Sequence, residues 1–385
     1  MRVFKNSIFL ELGAEREKAA KNGREIIDLS VGTPDIPPAP HIVEALCAAA
    51  ADPKNYTYAL GDLPELREAA IAWYARRYGV SLERDELCSL HGSQDGLAHL
   101  PLVLLNPGDV ALVPNPGYMI FLDGPPLASA ELYKMPLLEE RGFLPDLDAI
   151  PANILHRARM LTISYPMNPL GKFAEPGFFE KVVWFAKKYD IAVLHDNAYS
   201  ELTYDGRVGG SFLQTPGAKE VGVEFNSLSK SYNMTGCRIS FALGNRDIIE
   251  ALSRLKANID YGVFRPVQRA AIAALQGPQE SLEMLRAVYQ ERRDALVESF
   301  AEAGMPVTPC EGSMFVWTRI PEGVGGSMAF CKTLIEQAGV VFVPGVAFGS
   351  LGEGYVRIAL VRPAEELRLA AARVGEVLKY FGENR

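Results

Sequence analysis

A chain of 385 residues, 48% hydrophobic and 22% charged, is long enough for two domains around a large core and has an ordinary soluble composition. Its formal net charge of −8 argues against nucleic acid or an anionic membrane as the main partner. Five cysteines (Cys47, Cys88, Cys237, Cys310, Cys331) lie far apart with no CxxC pair, which fits reduced thiols in the cytoplasm and no metal site.

The first 23 residues read as an arm or first helix; they lack an apolar run of signal-peptide type. No window anywhere approaches the roughly 20 uncharged apolar residues of a membrane helix. A short strand, Ile26 to Val31, is expected next, ending in the turn Gly32-Thr33-Pro34-Asp35. Pro37, Pro38 and Pro40 keep the following segment extended, and a helix is expected from His41 to Ala51. The loop Asn55 to Asp62 carries Tyr56 and Tyr58, which alone read as loop packing, and precedes an amphipathic helix, Leu63 to Tyr78.

From Leu87 short apolar runs alternate with helices, the pattern of strand–helix–strand units and a largely parallel sheet. Strands are expected at Val110 to Val113, Met160 to Ser164, Ile191 to His195, Val221 to Phe225 and Ile239 to Leu243. The helix Phe178 to Tyr189 shows its period clearly, with Phe178, Val182, Phe185 and Tyr189 on one side. In such sheets ligands bind beyond the carboxyl ends of the strands.

The residues at those ends are chemically selective. Tyr118 follows the first strand, Asn168 and Gly171 the second, Asp196 and Tyr199 the third, and Ser227, Ser229 and Lys230 the fourth, with Arg238 eight residues on. Read alone, the Lys230 segment fits a surface loop with a solvated lysine. Anchored between two buried strands, it instead puts the amine beside the core, where burial lowers its pKa and frees it to form an imine with a carbonyl. Ahead of these strands, His91 to Gly96 opens a helix expected over Leu97 to Leu105, with Ser93 as its N-cap and the amides of Gln94 and Asp95 suited to a phosphate. No phosphate-loop pattern GxxxxGK[ST] occurs, and Gly323-Val324-Gly325-Gly326 lacks the context of a dinucleotide fingerprint.

A flat, phosphorylated aldehyde with a basic ring nitrogen uses every one of these groups, and pyridoxal 5′-phosphate is such a molecule. Lys230 suits its aldehyde, Asp196 its ring nitrogen, and Tyr199 with Asn168 its ring oxygen. Tyr118 suits one ring face, and Ser227, Ser229, Arg238 and the turn at Ser93, Gln94 and Asp95 suit the phosphate.

On these motifs (Ser-x-Ser-Lys at 227–230 with Arg238, Asp-x-Ala-Tyr at 196–199, Asn-Pro-x-Gly at 168–171) the chain resembles the class I aminotransferases of the fold type I pyridoxal-phosphate enzymes. NPGDVALVPNPGY at 106–118, GFLPDLDAIP at 142–151 and NIDYGVF at 258–264 are similar to the LL-diaminopimelate and alanine–glutamate group of that family. The resemblance implies ping-pong transfer of an amino group between an amino acid and a 2-oxo acid, and an α/β fold. A large domain over residues 45–280 is expected, with a smaller α+β domain built from 1–44 and 281–385. Its later strands are expected at Phe315 to Ile320, Val340 to Val343 and Tyr355 to Leu360, and a helix from Glu283 to Ala303 joins the two domains.

The resemblance further implies that Arg357 grips the substrate α-carboxylate, with Asn168 also against the substrate, and that Gly32 lies in the loop closing over it. It implies a homodimer in which Tyr56, or its rival Tyr58, reaches the neighbouring phosphate. Leu170, Cys237, Ser240 and Met119-Ile120-Phe121 depart from the usual pattern. A C–S β-lyase on the same scaffold uses the same lysine, aspartate and arginine and differs only in its products. A cofactor-sensing module of a transcription regulator fits less well, because no DNA-binding domain has room before Ile26.

Overall fold

The sheet strands are apolar on both faces, so helices must cover both. In the structure, a computed structural model that describes residues 8–383, seven strands form one twisted sheet. Their spatial order is Leu87–Leu90, Ser240–Gly244, Gly222–Ser227, Ala192–Asp196, Ala158–Ser164, Val110–Asn115 and Glu131–Pro136. Ser240–Gly244 runs antiparallel to both its neighbours, and every other pairing is parallel. Val110, Leu112, Leu161, Ile163 and Val193 face one core, whereas Ala111, Val113, Met160, Leu194 and Phe225 face another.

Five strands read from the sequence are present within about two residues of their expected bounds, and two more complete the sheet. Glu131–Pro136 is an edge strand in which Met135 alone is buried, so it carries no apolar run. Leu87–Leu90 is only four residues long and therefore has no period to detect.

The helix Phe178–Tyr189 has its expected bounds. Pro40–Ala50 and Pro64–Tyr78 each begin on the proline itself, at the first helical position where a missing N–H costs nothing. The strand expected over Ile26 to Val31 is reduced to Ile27–Asp28, paired in parallel with Val340–Val341. The single strand expected from Val340 to Val343 is in fact two. At buried Phe342 the chain leaves that pairing, and Val343–Pro344 joins Tyr355–Ala359 and Phe315–Arg319 in a second, antiparallel sheet.

The long helix Glu280–Glu302 begins earlier than expected. Its Leu282 sits in the core of the large sheet, while Leu285, Tyr289, Leu296 and Phe300 sit in that of the small one. Two buried arginines on it reach outward as forks: Arg292 holds both oxygens of Asp35 at 2.7 Å, and Arg293 those of Asp205 at 2.6 and 2.7 Å. Among the described residues no helix is long and apolar enough to cross a membrane.

The helix Ser93–Leu104 packs on the large sheet through Leu97 and Leu100. It comes close because residue 96 is glycine: a Cβ there would lie 2.5 Å from Phe225 and 2.7 Å from Leu90. Gly96→Val is expected to lower unfolding stability by about 1–3 kcal/mol, read from the urea midpoint. An unchanged midpoint would mean that the helix is not seated on those two side chains.

Candidate active site

Parallel strands bring their carboxyl ends to one edge, and the side chains collected there come from segments far apart in sequence. Asp196 ends the strand Ala192–Asp196, and strand alternation sends it to the opposite face from His195. On that far face His195 Nδ1 lies 2.9 Å from Glu224 Oε2, both fully buried, and Glu224 also accepts hydrogen bonds from Tyr74, Ser211 and the Phe212 amide. Sequence reading missed this network, whose members are scattered over 150 residues. Asp196 is itself buried, and its Oδ1 has no hydrogen-bond partner. Burial raises its pKa to about 6, against the pull of His195 and the Ala198 amide.

Lys230 does not lie in an open loop. It sits in the single helical turn Leu228–Ser231, started by Ser227, whose hydroxyl accepts the Ser229 amide at 3.2 Å. Its Nζ donates to the Gly32 carbonyl. Burial, helped by the charges of Arg357 and Arg238, lowers its pKa to about 8. Gly32 is required by close approach, since a Cβ there would stand 2.3 Å from the Phe315 ring.

Arg357, on the strand Tyr355–Ala359, donates to Asn168 Oδ1 at 2.9 Å and to the Ser30 carbonyl at 2.5 Å. Its guanidinium lies over the rings of Phe315 and Phe348, at 4.0 and 4.9 Å from their centroids. Burial lowers its pKa to about 10, and its Nε–H has no partner. Buried Tyr199 lies close enough to Asn168 and Arg357 for both to act on its hydroxyl, so three of the expected residues form one group.

The phosphate-like end differs from expectation in two respects. The helix starts at Ser93 rather than Leu97, so Ser93 is its first residue and not its cap; Gly92, at φ 88°, precedes it. The buried Ser93 hydroxyl has no partner. The Asp95 amide is not free, because it donates to the Gly92 carbonyl at 3.0 Å. The open end of the turn is therefore formed by the amides of Ser93 and Gln94.

Arg238, at φ 53°, reaches the His91 carbonyl at 3.2 Å and fills the space that a Cβ on Gly92 would take. Tyr118 donates its hydroxyl to Gln94 Oε1 at 3.2 Å, which fixes its ring beside the same turn. Buried Ser229 receives the Thr235 hydroxyl on its carbonyl at 2.9 Å. Tyr56 and Tyr58 remain apart from this group: they are 64% and 79% exposed and pack against Phe264 and Tyr261. The Tyr56 hydroxyl is used within its own chain, on the Ala50 carbonyl.

A buried carboxylate with one oxygen left unpartnered destabilises the fold when it ionises. The folded protein binds this proton more tightly than the unfolded chain, so stability falls as pH rises from about 4 to about 6. Asp196→Asn is expected to stabilise the cofactor-free protein by up to ~3 kcal/mol above pH 6 and by little near pH 4. Denaturant midpoints across that range test this; a gain independent of pH would show that Asp196 is satisfied in the fold.

A family model described as aminotransferase class I and II matches residues 24–374. The LL-diaminopimelate aminotransferase of Moorella thermoacetica is 48% identical over 373 residues, 96% of this chain and 95% of that protein. The protein of the same name from Dehalococcoides mccartyi is 45% identical over 369 residues, 95% of each chain. Among solved structures, substrate-bound BacF from Bacillus subtilis matches with a TM-score of 0.94 at 40% identity, over 97% of this chain and 95% of that one. The probable N-succinyldiaminopimelate aminotransferase from Thermus thermophilus matches at 0.90 and 40%, over 96% and 100%.

The family's cofactor, pyridoxal 5′-phosphate, fits the residues present. Asp196 Oδ1, Ser93 Oγ and Arg357 Nε are buried polar atoms without partners, and they match a basic ring nitrogen, a phosphate and a carboxylate. The chain belongs to the class I and II aminotransferases and is a pyridoxal-phosphate-dependent enzyme that moves an amino group between an amino acid and a 2-oxo acid.

Proposed function

We propose that this aminotransferase takes LL-diaminopimelate, or an amino acid closely related to it, as amino donor, with 2-oxoglutarate as acceptor. The observation that carries the catalytic reading is the Lys230 amine, held at a pKa of about 8 in the same cleft as Asp196 and Arg357. Relatives named for LL-diaminopimelate at 45% and 48% identity over nearly the whole chain support the donor.

When bound, the cofactor supplies a carbonyl carbon for amine exchange and a ring that accepts the electron pair left at Cα. Arg357 turns its open Nε–H to the α-carboxylate, with Asn168 and the Gly32 loop beside it. Lys230 Nζ, neutral in a useful fraction near pH 8, takes the Cα proton as general base and returns it as general acid. Asp196 holds a proton on the ring nitrogen by remaining ionised against it. Tyr199 and Asn168 donate to the ring oxygen, and Tyr118 covers one ring face. Ser93, Gln94, Ser227, Ser229 and Arg238 hold the phosphate.

Residues 45–280 then form the cofactor-holding unit, and 1–44 with 281–385 the unit that carries Arg357. The working form is a cytoplasmic homodimer with shared sites. Exposed Tyr56, Tyr58, Leu60, Tyr261 and Phe264 support a second copy as the cover for this face, from which Tyr56 or its rival Tyr58 reaches the neighbouring phosphate.

An absorbance scan of the cofactor-loaded enzyme tests the function. LL-diaminopimelate or glutamate is expected to shift the cofactor band, and 2-oxoglutarate to restore it. Ammonia and pyruvate released from cystathionine without a 2-oxo acid would reject amino transfer in favour of β-elimination. Lys230→Ala is expected to abolish turnover, by at least about 10³-fold, while cofactor is retained. Steady-state turnover surviving in that variant would remove Lys230 from its role.

A further inference from the structure

A buried charge cluster lies beneath the first turn of the helix Ser93–Leu104, and the chemistry above does not use it. Lys256, on the helix Arg246–Ile259, is 5% exposed. Its Nζ donates to Asp95 Oδ2 at 2.5 Å and to Asp260 Oδ2 at 2.8 Å. Burial works against its charge, but the two carboxylates prevail and raise its pKa. Burial likewise opposes ionisation of Asp95, yet hydrogen bonds from His91 and Lys256 hold that carboxyl far below the usual range. His91 Nδ1 stands 3.4 Å from Asp260 Oδ2, and His99 Nδ1 is 2.6 Å from Asp95 Oδ1 without hydrogen-bond geometry. His91, Asp95 and Asp260 offer three atoms within 4.8 Å of one another, but the Lys256 ammonium already bridges the two carboxylates, as a cation would.

Asp95 lies in the helical turn whose open amides, at Ser93 and Gln94, would face the phosphate. A carboxylate there is favoured by the helix end, yet it repels a second anion at the same place, and burial leaves the repulsion little screened. With Asp260 it would put two negative charges under the cradle. Asp95 also accepts the His91 amide at 2.8 Å, and the His91 carbonyl accepts Arg238 at 3.2 Å. Any displacement of Asp95 therefore moves the backbone that seats the arginine.

We propose that Lys256 is a positioning residue for the phosphate end of the cofactor: it cancels the Asp95 charge from inside the protein and holds the Asp95–His91 link that seats Arg238. This rests on Ser93 and Arg238 forming the phosphate cradle. The cluster thereby lets the same turn use a carboxylate for its own structure and still receive a dianion.

The test is to titrate the full-length, cofactor-free protein with pyridoxal 5′-phosphate and, in parallel, with pyridoxal, which lacks the phosphate. Lys256→Met is expected to weaken the phosphorylated ligand at least about tenfold and pyridoxal by less than about twofold. Adding Asp95→Asn, which keeps an acceptor for the His91 amide, is expected to return most of the loss. Asp95→Asn alone, in a protein that retains Lys256, is expected to raise the preference for the phosphorylated ligand, and it serves where Lys256→Met does not fold. Equal weakening of both ligands, no weakening, or a lowered preference in Asp95→Asn would overturn the assignment. Arg238→Gln separates the two readings. If it lowers the phosphate preference while Lys256→Met leaves it intact, the cluster alone is misread; if it too leaves the preference intact, the cradle lies elsewhere and both readings fall.

Discussion

Three cations, Lys230, Arg238 and Arg357, converge on one cleft whose lining includes the carboxylate of Asp196, one oxygen of which has no partner. Their mutual repulsion, and the burial of Arg357, are what the surrounding structure has to sustain. Arg357 is held by Asn168, the Ser30 carbonyl and two aromatic faces, Arg238 by main-chain carbonyls at its own turn and at His91, and Lys230 by Gly32. The residual positive field suits an anionic ligand with two ends, and it adds to burial in depressing the lysine toward the pH at which an amine is reactive. Stability and reactivity thus pull on the same groups in opposite directions.

The fold meets this demand by direction and by close approach. Parallel pairing puts Asn115, Ser164, Asp196 and Ser227 at one edge, and the antiparallel return through Ser240–Gly244 leaves Arg238, just before it, at that edge too. Glycines then allow contacts that a side chain would block: Arg238 against residue 92, Phe315 against residue 32 and Phe225 against residue 96. Each approach joins distant parts of the chain, the first two at the cleft itself and the third by seating the helix that begins at Ser93.

Much of this was legible in the sequence because chemistry was concentrated directly after apolar runs. Lys230, Tyr199 and Asn168 each follow a buried strand and Asp196 ends one, and strand ends are where a parallel sheet binds ligands. The turn at Ser93 was placed correctly but its bonding was not, since the helix begins four residues before its apolar period does. Glu224 with His195, and Lys256 with Asp95, were invisible for a different reason. A buried charge is betrayed only by its partner, and those partners lie 29 and 161 residues away. Edge strand Glu131–Pro136 was missed because Glu131, Lys134 and Pro136 are exposed and Leu132 and Tyr133 only partly covered, leaving Met135 as its one buried side chain.

The unpartnered atoms of Asp196, Ser93 and Arg357 have a physiological corollary. Each costs the empty protein stability, and on the proposed assignment one small molecule would relieve all three, so that loading would contribute directly to folding free energy. On that assignment the cofactor-free protein is expected to be the more readily proteolysed form, so loading would set how long the chain survives as well as how fast it works.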